Sequence, residues 1–340
     1  MRIHFWTADG SGSGLYRGVL PAMSLHWLGH DTSANQRLPE DWRNQGFDVV
    51  VGCRIAKPGT SRTWREMRDH GIRLVMDLDD DYFHLDFTNP AARKWADPVL
   101  RQGLLANIGL SDTVTCCSES LAAVLREVHG DVRVVPNGLP AQYLGAVRDY
   151  NPETLSVGWA GTSSTMHELQ VPGVVRGLNR IADYGRPGGV AVQVVGLDAA
   201  KAIGCGLQGA RLGACGWVED FGRYLQAVSA FDVWVAPYRD TAFNRAKYPT
   251  KWLESSMLGI PLIASDIEPY RRVIRHGENG FLVKREHEWG RLLKQLADDP
   301  ALRQRIGMAA RAEASASILQ ATNVQWQAAL TAPIEERTAA

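Results

Sequence analysis

Short runs rich in Val, Ile and Leu, each followed by a stretch of helical period, recur along the whole chain, and their count restarts near the middle. That alternation is the pattern of parallel strands fed by crossover helices, since a parallel sheet is buried on both faces and needs a long return connection. The fold class is therefore α/β. Strands are expected at Ile3 to Thr7, Asp48 to Gly52, Arg73 to Leu78, Thr113 to Ser118 and Val132 to Pro136, with helices including Leu15 to Leu28 and Glu119 to His129. A second set is expected at Leu155 to Trp159, Val190 to Gly196, Arg211 to Gly216, Val233 to Pro237, Pro261 to Ser265 and Phe281 to Val283. Two similar open sheets in tandem follow. Between them Asn137 to Glu153 carries Gly138, Pro140, Gly145 and Pro152 among polar residues, a linker composition that puts a boundary near residue 150. After Gly290 the pattern is helical only, the last helix is free to pack back across the first domain, and Pro333 to Ala340 is polar.

A length of 340 residues suits two domains. The 37 basic and 37 acidic side chains cancel, so no global field collects nucleic acid or acidic membrane and any anion site is local. Cys53, Cys116, Cys117, Cys205 and Cys215 are odd in number and lack a C-x-x-C, which fits neither a disulfide framework nor a zinc site. The opening MRIHFWTADG carries Asp9 and reaches glycine too soon for a signal peptide, and no apolar run approaches membrane-spanning length, so a cytoplasmic setting is expected.

In an open parallel sheet, ligands bind outside the carboxyl ends of the strands, where a loop enters a helix whose first amides hold an anion. The first such loop is Asp9-Gly10-Ser11-Gly12-Ser13-Gly14. Backbone without side chains approaches a ligand closely, which makes Gly12, Ser13 and Gly14 candidates, although a plain flexible turn uses the same residues. Arg17 stands where G-x-G-x-x-G requires its third glycine. Gly158-Trp159-Ala160-Gly161-Thr162-Ser163-Ser164-Thr165 holds the matching place in the second half, ahead of a helix expected near His167. It reads as a phosphate cradle, or as N-capping that needs one of its four hydroxyls.

Arginine outnumbers lysine 30 to 7, yet Lys247 and Lys251 fall in one segment, Phe243-Asn244-Arg245-Ala246-Lys247-Tyr248-Pro249-Thr250-Lys251-Trp252-Leu253-Glu254. Pro249 suits the start of a helix over Thr250 to Gly259, which sets Lys251 and Glu254 three apart on one face. There they address one polar ligand, or form a solvated ion pair. Asp77-Leu78-Asp79-Asp80-Asp81 follows the strand Arg73 to Met76. Carboxylates at this density repel one another; a hard cation such as Mg²⁺ suits them, and helix N-capping uses one or two.

Together these segments resemble the retaining nucleotide-sugar glycosyltransferases of the group 1 type, glycosyltransferase family 4-like, whose GT-B fold sets two facing Rossmann-like domains with parallel sheets around a cleft. The resemblance is strongest from Gly216 to Val283. Its blocks are Gly216-Trp217-Val218, Asp232-Val233-Trp234-Val235-Ala236-Pro237-Tyr238, Phe243-Asn244-x-x-Lys247-x-Pro249-x-Lys251-x-x-Glu254, Leu258-Gly259-Ile260-Pro261-Leu262-Ile263-Ala264-Ser265 and Gly277-x-x-Gly280-Phe281-Leu282-Val283. Weaker similarity runs through the Gly-rich first loop, Val135-Pro136-Asn137-Gly138 and Gly158-Trp159-Ala160-Gly161, and the Asp-rich loop is familiar from a bacterial surface-polysaccharide branch.

The resemblance implies an acceptor domain over 1–150, a donor domain over 151–315 and a C-terminal helix and tail over 316–340. It implies transfer of a hexose from a nucleoside diphosphate sugar to a hydroxyl acceptor, such as a glycan, with retention at the anomeric carbon and no metal or other cofactor. Glu254 then binds the donor ribose, Lys251 and the loop of Gly161, Thr162 and Ser163 lie near its diphosphate, and Tyr238 and Asn244 belong to the same donor blocks. Lys247 and Lys251 neutralise the leaving phosphate, and Asp79 or Asp80 takes the acceptor proton. Two departures stand out: Ala246 replaces a glutamate that many members carry eight residues before the one matched by Glu254, and no Arg or Lys lies between Gly161 and Gln170. They keep two alternatives in view, an idle sugar-nucleotide or glycan-binding module and a metal-dependent transferase chelating through Asp77-x-Asp79.

Overall fold

In a computed structural model, residues 1–10, 12–144, 155–185, 187–209 and 211–333 are described. The expected boundary near residue 150 lies outside them. The first half forms strands β1 (Arg2–Thr7), β2 (Asp31–Asn35), β3 (Val49–Cys53), β4 (Arg73–Leu78), β5 (Thr113–Cys116) and β6 (Val132–Val134), in the order β2-β1-β3-β4-β5-β6. The second forms β7 (Leu155–Ala160), β8 (Val190–Val195), β9 (Leu212–Cys215), β10 (Val233–Ala236), β11 (Leu262–Ser265) and β12 (Phe281–Val283), in the order β12-β11-β10-β7-β8-β9. Both sheets are parallel throughout, and helices cover their faces. The expected strands recur within a residue or two of their predicted ends because most are contiguous runs buried on both faces, as Val49, Val50 and Val51 are, while β6 and β9 at the sheet edges are less buried.

Two local expectations need correcting. The sequence reading left out β2, whose Asp-Thr-Ser-Ala-Asn carries no apolar run; it is an edge strand held by backbone pairing to β1, with its two end residues exposed and none fully buried. The helix expected over Leu15 to Leu28 is two pieces, a π-helical turn at Leu15–Val19 and an α-helix at Leu20–His26. Pro21 has no N–H to offer the carbonyl of Arg17, so the regular ladder fails there, and that carbonyl accepts instead from Cys53 Sγ at 3.1 Å.

The π turn sets Arg17 into the centre of the first domain, where it is 1% exposed. Its Nε and Nη2 donate to the two oxygens of Asp77 at 3.0 and 2.7 Å, and Nη1 donates to Val135 O at 2.6 Å and Asn137 Oδ1 at 3.0 Å. The guanidinium lies 4.8 Å over the ring of Trp326. Trp326 belongs to the last helix, Leu319–Thr331, which packs Trp326, Ala329 and Leu330 against Ile3, Phe5, Val51 and Val75 of the first domain. No described helix is long and apolar enough to cross a membrane.

Arg17→Met would leave the Asp77 carboxyl buried without its cation, at the cost of either a bare charge or its protonation. It is expected to lower the stability of the first domain by roughly 3 to 5 kcal/mol, read as a shift of its urea midpoint. The double variant Arg17→Met/Asp77→Leu, which removes both charges, should recover much of the loss; equal midpoints for the wild type and Arg17→Met would refute the assignment.

Candidate active site

The carboxyl ends of the two sheets face one another across a cleft of about 230 Å³. In each sheet the strand order reverses once, between β1 and β3 and between β7 and β10, and at such a reversal adjacent loops part and leave a crevice. The loop after β1 and the loop after β7 sit at these crevices, so Gly12 and Ser13 on one side look toward Gly161 and Thr162 on the other. Asp79, Asp80, Tyr238, Lys247, Lys251 and Glu254 line the same cleft. Gly14, Ser163 and Asn244 are not among its walls.

Those three exclusions have physical reasons. A Cβ on Gly14 would lie 1.9 Å from the carbonyl oxygen of Asp9, so this glycine serves a close turn, with its amide on Asp9 Oδ1 at 2.9 Å. In the hydroxyl loop, Thr165 Oγ1 accepts from the Thr162 amide at 2.9 Å and Thr162 pairs with Ser164 at 2.6 Å, while Ser163 faces solvent. The expected helix near His167 is a short 3₁₀ segment, Met166–Gln170, so local turn bonding takes up most of the hydroxyls. Asn244 is 2% exposed and donates to Glu168 Oε1 at 2.7 Å and Arg239 O at 3.0 Å, bracing the backbone behind the cleft.

The acidic loop after β4 divides by depth. Asp77 is bound by Arg17 and also accepts from Thr115 Oγ1 at 2.7 Å. Asp81, 1% exposed, accepts from the amides of Phe83 and His84 at 3.0 and 3.2 Å. Both are structural. Asp77 therefore offers no free carboxylate to an Asp77-x-Asp79 chelate, and among the described residues no group of three or more His, Cys, Asp or Glu is placed to hold a metal ion.

Asp79 and Asp80 remain at the cleft, and their surroundings push them apart. Burial raises the Asp79 carboxyl, but the Arg54 guanidinium and hydrogen bonds from Ser13 and Tyr82 outweigh it and hold the group below the ordinary range; Tyr82 donates at 2.7 Å. Asp80 is pushed up to about 6 by burial, against the pull of Lys247 and with the help of repulsion from Asp79. Lys247 comes from the second domain, its Nζ 2.7 Å from Asp80 Oδ1 and 4.1 Å from the centre of the Phe243 ring.

Opposite, the helix Thr250–Met257 presents Lys251 and Glu254 on one face, as the spacing predicts. They bond each other, Nζ to Oε2 at 3.0 Å, but not in solvent: Glu254 is 2% exposed. Tyr224 donates to Glu254 Oε2 at 2.8 Å and accepts from Lys251 at 2.9 Å, and Tyr16 of the first domain donates to Oε1 at 2.7 Å. The sequence reading missed both phenols. Tyr224 sits one helical turn after Phe221, an aromatic pair at i, i+3 that was legible, whereas nothing local ties Tyr16 to a carboxylate 238 residues away. Ala246, in the position of the missing glutamate, is 2% exposed and accepts from Ser118 Oγ through its carbonyl at 2.6 Å.

Residues 2–143 match the family model described as glycosyltransferase family 4, and residues 216–313 match the one described as glycosyl transferases group 1. No curated protein sequence matches the chain. Among solved structures, HepE of Anabaena in complex with UDP-glucose is 16% identical with a TM-score of 0.68, over 98% of this chain and 100% of that one. Sucrose-phosphate synthase of Thermosynechococcus elongatus is 14% identical with a TM-score of 0.70, over 96% and 97%. A variant of S. aureus TarM, in complex with fondaparinux, alpha-GlcNAc-glycerol and UDP, is 13% identical with a TM-score of 0.63; the match covers 84% of this chain but 55% of TarM, so the chain spans about half that protein's length. These likenesses show the GT-B fold, and the two family matches, one in each half of the chain, support a group 1 glycosyltransferase.

Proposed function

We propose that this protein transfers a hexose from a nucleoside diphosphate sugar to a hydroxyl of an acceptor glycan, with retention of anomeric configuration. The observation that carries the reading is the contact across the cleft, Lys247 Nζ at 2.7 Å from Asp80 Oδ1. A cation for the departing diphosphate and a carboxylate for the entering hydroxyl then lie on one face of the sugar, which is what front-side displacement requires. The bond from the anomeric carbon to the β-phosphate oxygen breaks, and its electron pair leaves on the diphosphate. The acceptor oxygen bonds to the same carbon from the same face, and its proton passes to Asp80.

Charge grows on the leaving phosphate as the bond lengthens, so Lys247 and Lys251, set in place beforehand, lower the barrier most. Asp80 suits the base because a carboxyl raised to about 6 holds a proton better than an ordinary one and is still ionised at neutral pH. Asp79, held low, stays ionised beside it. Glu254 takes the ribose hydroxyls, and the Gly161 and Thr162 backbone lies alongside the diphosphate. The UDP-glucose bound by HepE and the UDP bound by TarM support a donor of this class. This scheme requires no cofactor besides the donor, and five free cysteines agree with a cytoplasmic setting.

Ala246, packed in a core cluster with Tyr82 and Trp95, favours a second reading, a module that binds sugar nucleotides without turnover. Release of nucleoside diphosphate from a panel of donor sugars decides between them. Transfer is expected, with the product anomer matching the donor by proton NMR; an inverted product would end the front-side scheme.

Glu254→Gln is expected to raise the donor Michaelis constant roughly tenfold, because a neutral amide loses the charge-assisted bond to ribose. Lys247→Ala should leave that constant near its original value and cut kcat about a hundredfold, since its charge matters most in the transition state. Identical kinetic signatures for the two variants would contradict the assigned roles.

Protonation removes the base, so kcat/KM should fall about tenfold per pH unit below an apparent midpoint near 6. Asp80→Asn should abolish that acid limb along with most of the activity. An unchanged limb in the variant would move the role elsewhere.

A further inference from the structure

Both oxygens of Glu254 are engaged before any donor arrives. One oxygen accepts from Tyr16 at 2.7 Å and the other from Tyr224 at 2.8 Å, with Lys251 at 3.0 Å from the second oxygen. It lines the cleft but is only 2% exposed, so a ribose hydroxyl that takes the Tyr16 place on Oε1 must displace that phenol. Tyr224 and Lys251 belong to the same domain as Glu254 and bond each other at 2.9 Å, which makes them a fixed backing. Tyr16 belongs to the other domain. It rides on the π turn Leu15–Val19, and its ring meets Phe221 edge-on at 5.9 Å in the mouth of the cleft. The bond it makes, a neutral O–H donated to a carboxylate oxygen, is the bond a ribose hydroxyl would make.

We infer that Tyr16 is a positioning residue for the donor, whose hydroxyl holds the place of a ribose hydroxyl on Glu254 and must be exchanged for it when the donor binds. This rests on the reading of Glu254 as the ribose site. The phenol keeps the buried carboxylate paired in the empty protein, so Glu254 is never left bare in a dry site, where an unpaired charge is costly. Its burial and the neighbouring Glu254 raise the Tyr16 hydroxyl well above its ordinary range, so it stays protonated and able to donate. Because Tyr16 lies two residues after Gly14 and next to Arg17, releasing it moves the loop carrying Ser13, the residue that bonds Asp79. Donor entry on one side of the cleft is thereby felt at the acidic side.

The test is calorimetric binding of UDP and GDP to the wild type, Tyr16→Phe, Glu254→Gln and the double variant. Tyr16→Phe removes one oxygen atom and no longer competes, so the nucleotide that binds the wild type should bind this variant about tenfold more tightly. In the Glu254→Gln background the same substitution should change affinity by less than about twofold, which mere loosening of packing would not produce. Equal or weaker binding by Tyr16→Phe overturns the exchange while leaving the nucleotide-sugar reading intact; no binding of either nucleotide by any variant overturns both. Should the variant fail to fold, hydrogen exchange on the wild type gives the answer: amides of residues 15–19 should exchange faster with saturating nucleotide, and unchanged or slower exchange there refutes the proposal.

Discussion

The site depends on a charge the fold has taken wholly out of water. Arg17 spends its guanidinium on Asp77 at the end of β4, on the carbonyl of Val135 and the side chain of Asn137 just after β6, and on the face of Trp326 in the last helix. A buried pair of this kind contributes little net stability over a well-packed apolar substitute, yet losing one partner is strongly destabilising. Its consequence here is geometric. With Asp77 pinned, the chain after it can place Asp79 and Asp80 only at the cleft, and the residue before Arg17 is Tyr16, which is thereby aimed across the cleft at Glu254.

Two identical neighbours acquire different chemistry through this placement. Asp79 turns toward Arg54, Ser13 and Tyr82 within its own domain, whereas Asp80 pairs with Lys247 from the other domain, with a weaker pull from Arg54. The acid and base properties of the loop are therefore tied to how the two domains meet, and so is Glu254, whose first oxygen is held from across the gap. Ser118 on Ala246 and Tyr248 on the Asn137 carbonyl, the latter at 3.3 Å, extend the same contact toward the last helix.

The last helix closes this arrangement from behind. Leu139 pairs with Ile318 in a short parallel bridge just before the helix crosses onto the first domain. A chain that ran out through the second domain thus returns to the core of the first, and its Trp326 meets Phe5 edge-on at 5.7 Å. The helix carries no group of the cleft itself; it presses on Arg17, which positions those that do.

The class, the restart of the strand count and the shared face of Lys251 and Glu254 were legible in the sequence because each rests on local physics, apolar runs that must be buried and helical spacing, whereas the blocks from Gly216 to Val283 were legible through their resemblance to a known family. β2 was not legible, since an edge strand held by backbone bonds needs no apolar signature. Nor was the breakup of the hydroxyl loop or the retreat of Asn244, because a short polar side chain satisfies itself locally or through a distant partner with equal ease. By itself the sequence determined which side chains lie at the carboxyl ends of the strands. Tertiary structure alone decided which carboxylate is buried with Arg17, which one meets Lys247, and that a phenol from residue 16 completes the shell of Glu254, because these contacts join positions 60 to 238 residues apart, where no local propensity reaches.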